Sequence, residues 1–348
     1  MTCPTHFKRI VLNSRPEGDI EPGTFRTEVV PFSTLKPGKG QVLVQCTWLS
    51  LDPAMRGYIR DVRSYLPPVQ IGEVMRALGL GVVLETGVGS KFKVGDAVSG
   101  PWGMTEYAVM SDKALEKLEI HPGVQPIDYL SILGSSGLTA YFGLKKIGDL
   151  KPGEKLVISG AAGSVGSIAC QLGKAAGAKV YAIAGSEDKC RWLQKELGVD
   201  RAFNYKSPSF FNDFKKNVGY LDVYFDNVGG DMLDFMLTRL NKDARIILCG
   251  AISVYNSAKP KGLQSYLNLI SQRAKIQGFI VFDYASEYPL AIKELSKGLS
   301  NGTIKRKFHI VEGGIEQAPV ALPMLFSGGN TGKLVVKVSD EPKIKTKL

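Results

Sequence analysis

Gly160, Gly163 and Gly166 punctuate the run GAAGSVG (160–166), the sharpest chemical signal in this chain. A short apolar run, KLVIS (155–159), precedes them, and a helical pattern follows from about residue 165. Glycines at such a turn let backbone N–H groups approach a pyrophosphate at the positive end of a helix. The spacing departs from G-x-G-x-x-G, because two alanines separate the first pair. Tight structural turns also use glycine. The placement between strand and helix makes this a candidate dinucleotide site, with Gly163, Ser164, Val165 and Gly166 against the phosphates.

The next strand, KVYAIA (179–184), bears on which dinucleotide fits. An NAD site usually ends this strand with Asp or Glu, which holds the ribose 2′-hydroxyl. Here the chain reads AGSEDK (184–189), small residues followed by a lysine. Ser186 and Lys189 supply the hydroxyl and the cation that a 2′-phosphate needs, so NADP(H) is favoured over NAD(H). Ser186 is equally suited to cap a helix beginning at Glu187, whose first turn is acidic.

Metal ligands are sparse. The three histidines (His6, His121, His309) and five cysteines (Cys3, Cys46, Cys170, Cys190, Cys249) are scattered, and only Cys3 and His6 lie close together, near a chain end. A zinc site needs three or four converging ligands, so no metal is expected. An odd cysteine count without a CxxC pair fits a reducing compartment, and the expected location is cytoplasmic. The terminal Thr346-Lys347-Leu348 is one substitution from the Ser-Lys-Leu peroxisomal address, the alternative to a frayed polar tail.

Positioning these residues calls for two kinds of architecture. Within residues 1–127, short strands are broken by turns: 41–48 (QVLVQCTW) alternates apolar and polar, and 78–85 and 97–99 are similar. Pro37-Gly38, Pro67-Pro68, Gly95-Asp96 and Pro122-Gly123 punctuate the region. Within 128–300, strands at 155–159, 179–184, 201–204, 220–225 and 245–249 alternate with helices at 165–176, 187–197 and 231–240. That alternation predicts an α/β fold with a doubly wound parallel sheet. Within 301–348, segments 308–311 and 333–338 return to the strand pattern.

Hydrophobic residues make 44% of the 348 and charged ones 22%, so a sizeable core is expected and extensive disorder is not. No apolar run approaches the ~20 residues of a membrane span, and no secretory signal is expected at the N-terminus. Forty-four basic against 33 acidic side chains give a net charge of +11, which attracts polyanions, phosphorylated cofactors included. The lysines are dispersed apart from 305–307 and the tail lysines 343, 345 and 347, without interleaved aromatics. Dedicated nucleic-acid binding is therefore not expected.

GAAGSVG, AGSEDK, FNYK (203–206), FDNVGG (225–230) and CGAISVYN (249–256) follow one another in a familiar order. In them the chain resembles the zinc-independent medium-chain dehydrogenase/reductases. Specifically it is similar to the NADP-dependent alkenal double-bond reductases, the branch containing leukotriene B4 dehydrogenase/prostaglandin reductases and curcumin reductase. LDPAMRG (51–57), GFIVFDY (278–284) and GNTGKLVV (329–336) extend the resemblance over nearly the whole chain. It implies a GroES-like β-rich catalytic domain, built from both chain ends around a Rossmann domain, and a homodimer. It implies Lys189 and Tyr205 at the 2′-phosphate. Cys249, Gly250, Ala251, Ile252, Ser253 and Tyr255 would line the remaining cofactor groove with Asn227, Phe279, Ile280, Val281 and Asn330. Tyr205 and Phe279 are equally suited to packing, Asn227 and Asn330 to turns beside glycines, and Cys249 to a small buried space.

The implied substrate is a small conjugated enal or enone. Hydride addition at the β-carbon leaves an enolate, whose oxygen wants a positioned hydrogen-bond donor. The resemblance supports Tyr255 as that catalytic donor, directly or through the ribose hydroxyl it orients, against a plain packing role. Solvent suffices to protonate the α-carbon. One position departs: many relatives carry Tyr in DP-Tyr-MR where this chain has Ala54, which widens the mouth and leaves the substrate open. Met55, Arg56, Tyr58 and Tyr65 are further substrate-site candidates, although Arg56 also suits a structural ion pair. Quinone reduction, oxidation of a hydroxylated lipid, and NADPH binding without turnover on a basic RNA-binding face are the alternatives. Lys189→Ala should weaken NADPH binding roughly ten- to hundredfold and NADH binding little, the loss of one charge-assisted contact. Fluorescence titration measures both, and equal losses would contradict the 2′-phosphate assignment.

Overall fold

The computed structural model describes residues 4–342. The Thr346-Lys347-Leu348 address, the tail lysines 343, 345 and 347, and the Cys3 side of the Cys3–His6 pair lie outside those residues. Six strands, Lys155–Ile158, Lys179–Ala184, Arg201–Asn204, Leu221–Asp226, Leu240–Leu248 and Lys275–Gly278, form one sheet. Numbered along the chain they stand side by side in the order 3-2-1-4-5-6, and every pairing is parallel. Parallel strands covered on both faces read as continuous apolar runs. Accordingly Leu156, Val157 and Ile158 are all buried, as are Val223, Tyr224 and Phe225. Helices Ser164–Ala175, Glu187–Leu197 and Tyr288–Ser300 pack on this sheet through residues such as Ile168, Leu193 and Leu295.

The second sheet draws on both ends of the chain. Its seven strands include Gln41–Ser50, Gly79–Thr86 and Ala97–Gly100 from the first part, joined by Phe308–Val311 and Lys333–Lys337 from the last. Lys333–Lys337 pairs antiparallel with Gln41–Ser50, which fixes the returning chain against the first domain. The fold is thus a two-domain α/β arrangement: a β-rich unit and a doubly wound Rossmann unit. Two contacts hold the returning segment near the glycine turn: Gly332 N–H donates to Ala162 O at 2.7 Å, and Gly163 bridges Gly332. Among the described residues no helix is long and apolar enough to cross a membrane.

Several boundaries differ from the sequence pattern. The helix expected at 231–240 is Gly230–Leu237, and a strand begins at Leu240 in place of its last turn. Asn241, Lys242 and Asp243, the last at φ 62°, interrupt the apolar alternation and hide the first half of that strand. The hairpin His6–Leu12 with Phe25–Pro31, the helix Phe210–Asn217 and the edge strand Lys275–Gly278 also lacked a clear signal. The hairpin and the edge strand are half exposed and carry charges that mask their period.

A buried ion pair ties the return segment to the start of the Rossmann unit. Arg306 donates from Nε and Nη2 to the two oxygens of Asp128, both at 2.8 Å, and the Asp128 side chain is wholly buried. Arg306→Leu strands that carboxylate with the Gln125 N–H as its remaining donor. It should destabilise the protein by about 3 kcal/mol in urea unfolding. A loss under about 1 kcal/mol would show that the pair is replaceable by solvent.

Candidate active site

Each parallel strand ends at one cleft. Ser159 and Gly160 follow the first strand, Gly185 the second, Tyr205 the third, Asn227 the fourth, Cys249 the fifth and Phe279 the sixth, and all line one cavity of about 1090 Å³. In open α/β sheets, ligands bind outside the carboxyl ends at the point where strand order reverses. Here that point lies between the Lys155–Ile158 and Leu221–Asp226 strands, which are direct neighbours.

The glycine turn is built for close approach. Gly160 has φ 57°, a left-handed conformation that favours glycine. A Cβ on Gly166 would sit 2.4 Å from Gly160 O and 2.7 Å from Ala161 Cα, both backbone atoms that cannot swing aside. Gly163, Ser164, Val165 and Gly166 all line the cavity, at the start of the Ser164–Ala175 helix. Across from them, the wholly buried Asp226 accepts hydrogen bonds from Ser159 Oγ (2.8 Å), Tyr224 OH (2.9 Å), Val228 N and Gly229 N. Burial pushes this carboxyl upward, while those donors pull it back. Asn227 Nδ2 donates to Ser159 O at 2.8 Å, so Asn227 is both a loop residue and part of the wall.

At the outer end stand Lys189, Tyr205 and Lys206. Lys189 Nζ donates to Gly328 O at 2.8 Å, and Lys206 Nζ lies 5.9 Å from the Tyr205 ring centroid. Neither lysine pairs with a carboxylate among the described residues. Burial, and then the charge of Lys206, holds the Lys189 ammonium below its ordinary range. Two unneutralised cations beside a helix start fit a phosphate, and the glycine cradle fits a pyrophosphate, so the residues present suit a phosphorylated dinucleotide. Ser186 does not line the cavity; it caps the Glu187–Leu197 helix by accepting from Lys189 N.

Tyr255 occupies the inner end, beside Cys249, Gly250, Ile252 and Ser253. Ala251 points elsewhere, but its N–H donates to Tyr255 OH at 3.1 Å. With a lone pair engaged, the phenol keeps its own proton for another acceptor. Burial raises its pKa, so it stays protonated through neutral pH. Ser253 Oγ donates to Val228 O at 2.6 Å, and Cys249 N and Gly250 N donate to Asp226 O, which locks this loop to its neighbour. Burial pushes the Cys249 thiol up to about 12, leaving it inert. Phe279 packs on the core and also lines the cavity with Ile280 and Val281, and Asn330 joins them while its amide donates to Gly332 O.

Of the substrate-end candidates, Ala54, Met55, Tyr58 and Tyr65 line the cavity and Arg56 does not. Arg56 is wholly buried, with Nε on Asn256 Oδ1 (3.0 Å) and Nη2 on Pro16 O (2.9 Å) and Gly18 O (2.7 Å). Its partners are an amide and carbonyls, not the carboxylate of an ion pair. This clamp holds the residue after Tyr255 against the β-rich domain. The sequence reading missed Lys206, Ser135, Ser136, Thr139, Arg76 and Lys333, all cavity residues. FNYK already contained Lys206 and GNTGKLVV Lys333; Arg76 sits in the loop before the Gly79–Thr86 strand, and Ser135, Ser136 and Thr139 sit on a helix whose facing only the fold reveals.

The fold and this cleft define a two-domain dinucleotide oxidoreductase. Residues 8–118 match the model of the N-terminal domain of oxidoreductase and residues 164–297 that of zinc-binding dehydrogenase. The putative NADP-dependent oxidoreductase YfmJ of Bacillus subtilis is 41% identical, covering 96% of this chain and 98% of its own. The NADPH-dependent curcumin reductase of Escherichia coli is 38% identical over 96% and 97% of the two chains. A 2-alkenal reductase (NADP(+)-dependent) of Nicotiana tabacum is 35% identical over 96% and 98%. The crystal structure of CurA in complex with NADPH from Vibrio vulnificus superposes with a TM-score of 0.90 at 37% identity, over 96% and 99% of the chains. The chain belongs to the medium-chain dehydrogenase/reductase family. Among the described residues no three His, Cys, Asp or Glu side chains converge as a metal site, whatever the second model's description.

Gly166→Ala should weaken NADPH binding at least tenfold with the fold retained, since the helix must withdraw from the turn; circular dichroism and a binding titration separate the two. NADPH affinity should also fall as pH rises through the depressed Lys189 pKa, because the deprotonated amine no longer attracts a phosphate. NADH affinity should stay flat over that range, and parallel profiles would contradict the assignment.

Proposed function

We propose that this protein reduces the carbon–carbon double bond of α,β-unsaturated aldehydes and ketones with NADPH. The observation that carries the reading is Tyr255, a protonated phenol oriented by Ala251 N–H at the inner end of the dinucleotide cleft. The NADPH dependence of the curcumin reductase relative, and the alkenal substrate class named for another, support it. So do the unpaired Lys189 and Lys206, which suit a 2′-phosphate.

Gly163, Ser164, Val165 and Gly166 would hold the pyrophosphate, Lys189, Lys206 and Tyr205 the 2′-phosphate, and Asn227, Phe279, Ile280, Val281 and Asn330 the remaining groove. When bound, the nicotinamide supplies a hydride. Tyr255 donates its phenolic hydrogen to the oxygen on which negative charge develops as the β-carbon is reduced. A fixed donor in a half-buried site stabilises that oxyanion more than water does, by about 3 kcal/mol. The Asp226-centred loops hold the donor in place, and solvent protonates the α-carbon. A homodimer and a cytoplasmic location belong to the same proposal. Exposed Tyr266, Leu267 and Ile270 beside the outermost strand, Lys275–Gly278, support the first, and the four free described cysteines support the second.

Tyr255→Phe should lower kcat for an enone roughly a hundredfold and leave the NADPH dissociation constant within about twofold. Stopped-flow turnover and a cofactor titration read the two quantities. Unchanged kcat would remove the role given to Tyr255.

A further inference from the structure

We propose that Arg56 is a positioning residue for the reaction: through Asn256 it fixes where the Tyr255 phenol points. The inference rests on the enone-reduction reading, which gives the phenol its task. Tyr255 needs an anchor on each side. The loop before it is tied to the Asp226 strand end and the turn that follows, with Ile252 N donating to Asn227 O at 3.2 Å and Ser253 N to Val228 O at 3.1 Å. Past Ser253 no backbone bond reaches that turn among the described residues. The Tyr255 N–H meets Ile252 O only at 3.4 Å, longer than an ordinary backbone bond. From 258 to 262 the chain is exposed.

The second anchor comes from the β-rich domain. Arg56 is wholly buried; its Nε donates to Asn256 Oδ1 at 3.0 Å, and its Nη2 to Pro16 O at 2.9 Å and Gly18 O at 2.7 Å. Asn256 uses both ends of its amide, since Nδ2 donates to Asp19 Oδ1 at 2.6 Å. Arg60 adds Nη2 on Ser257 O at 2.9 Å, and Arg15 closes the ring by donating to Ile59 O and Val69 O, both at 2.9 Å. No carboxylate pairs with Arg56 among the described residues, and its Nη1 is buried without a partner. A guanidinium buried in that state costs stability, and an apolar side chain of similar volume would cost less. What the guanidinium supplies is geometry, a planar fork that holds three acceptors at set angles.

The same turn of helix carries the substrate wall. Met55 and Tyr58, three residues apart on the short helix Met55–Tyr58, both line the cavity. At about 100° per residue, Arg56 leaves that face and reaches the clamp. Tyr65 links wall and donor: its hydroxyl is 3.4 Å from that of Tyr58, and it stands near enough to Tyr255 to bear on its ionisation. One buried side chain thus sets both the wall and the phenol. A misplacement of about 1 Å at a reacting group costs up to about a hundredfold in rate.

Two variants and one spectroscopic probe test the clamp. Arg56→Lys keeps the charge and loses the planar fork, and Asn256→Ala removes the link while leaving Arg56 in place. Asn256 is only half-buried, so the second variant folds even where the first does not. Each should lower kcat for an enone about tenfold and leave the NADPH dissociation constant within about twofold. In a Tyr255→Phe background the same changes should cost less than about twofold, because a residue that acts through the phenol has nothing left to act on. Full additivity with Tyr255→Phe would leave only a structural role and overturn the proposal. The second readout needs no turnover. In protein grown with 3-fluorotyrosine, the fluorine NMR line lost in Tyr255→Phe belongs to Tyr255. Both clamp variants should move that line toward free fluorotyrosine and leave in place the line of Tyr181, on the second parallel strand, assigned in the same way. A Tyr255 line unmoved in both variants overturns the proposal whatever the rates. A line that moves, in a protein that reduces no enone, upholds the positioning and sinks the enone reading alone.

Discussion

One buried carboxylate organises the active cleft. Asp226 takes hydrogen bonds from the end of the neighbouring strand through Ser159, from Tyr224, and from the amides of its own following loop. Its backbone carbonyl accepts from Cys249 and Gly250. A carboxylate buried this deeply is tolerable only when donors surround it. The same donors belong to the three loops that form the cleft at the strand-order reversal. Folding the parallel sheet and shaping the site are therefore one event. Tyr255 inherits its placement from it, since the 249–255 loop cannot shift without breaking those bonds.

Charge divides the cleft into regions with different tasks. The net +11 is dispersed over most of the surface, where it raises the local concentration of anions without selecting among them. Selection comes from cations left unpaired where a ligand would sit. In the proposed function Lys189 and Lys206, which no carboxylate neutralises among the described residues, do this at the dinucleotide end. Lys333, more deeply buried than any of these, is neutralised by Asp52 and so selects nothing. The decisive quantity is the presence or absence of a counter-charge within hydrogen-bond reach, not the number of lysines.

Legibility from sequence followed the same physics. The Lys179–Ala184 strand and the Glu187–Leu197 helix were readable to the residue, because KVYAIA is a nearly continuous apolar run and the helix has a Ser cap and a Gly198 stop. The Lys275–Gly278 strand was not, since an exposed edge strand has no apolar face to betray it. Asn227 and Tyr205 were legible only through the family resemblance, and the fold sets both in the cavity wall just after strand ends. Ser186, Ala251 and Arg56 sat in the right motifs but turn to capping, orienting and clamping. Arg76 gave no signal, because a loop residue joins the cavity wall only through packing.

Placement of an isotope distinguishes hydride addition at the β-carbon of a conjugated carbonyl from addition at the carbonyl carbon. The reaction would be run with NADPH deuterated at the nicotinamide C4 and an enone, and the product examined by NMR. Reduction of the carbon–carbon double bond gives a saturated ketone with deuterium on the β-carbon. An allylic alcohol carrying deuterium on the former carbonyl carbon would contradict it and make the protein a carbonyl reductase instead.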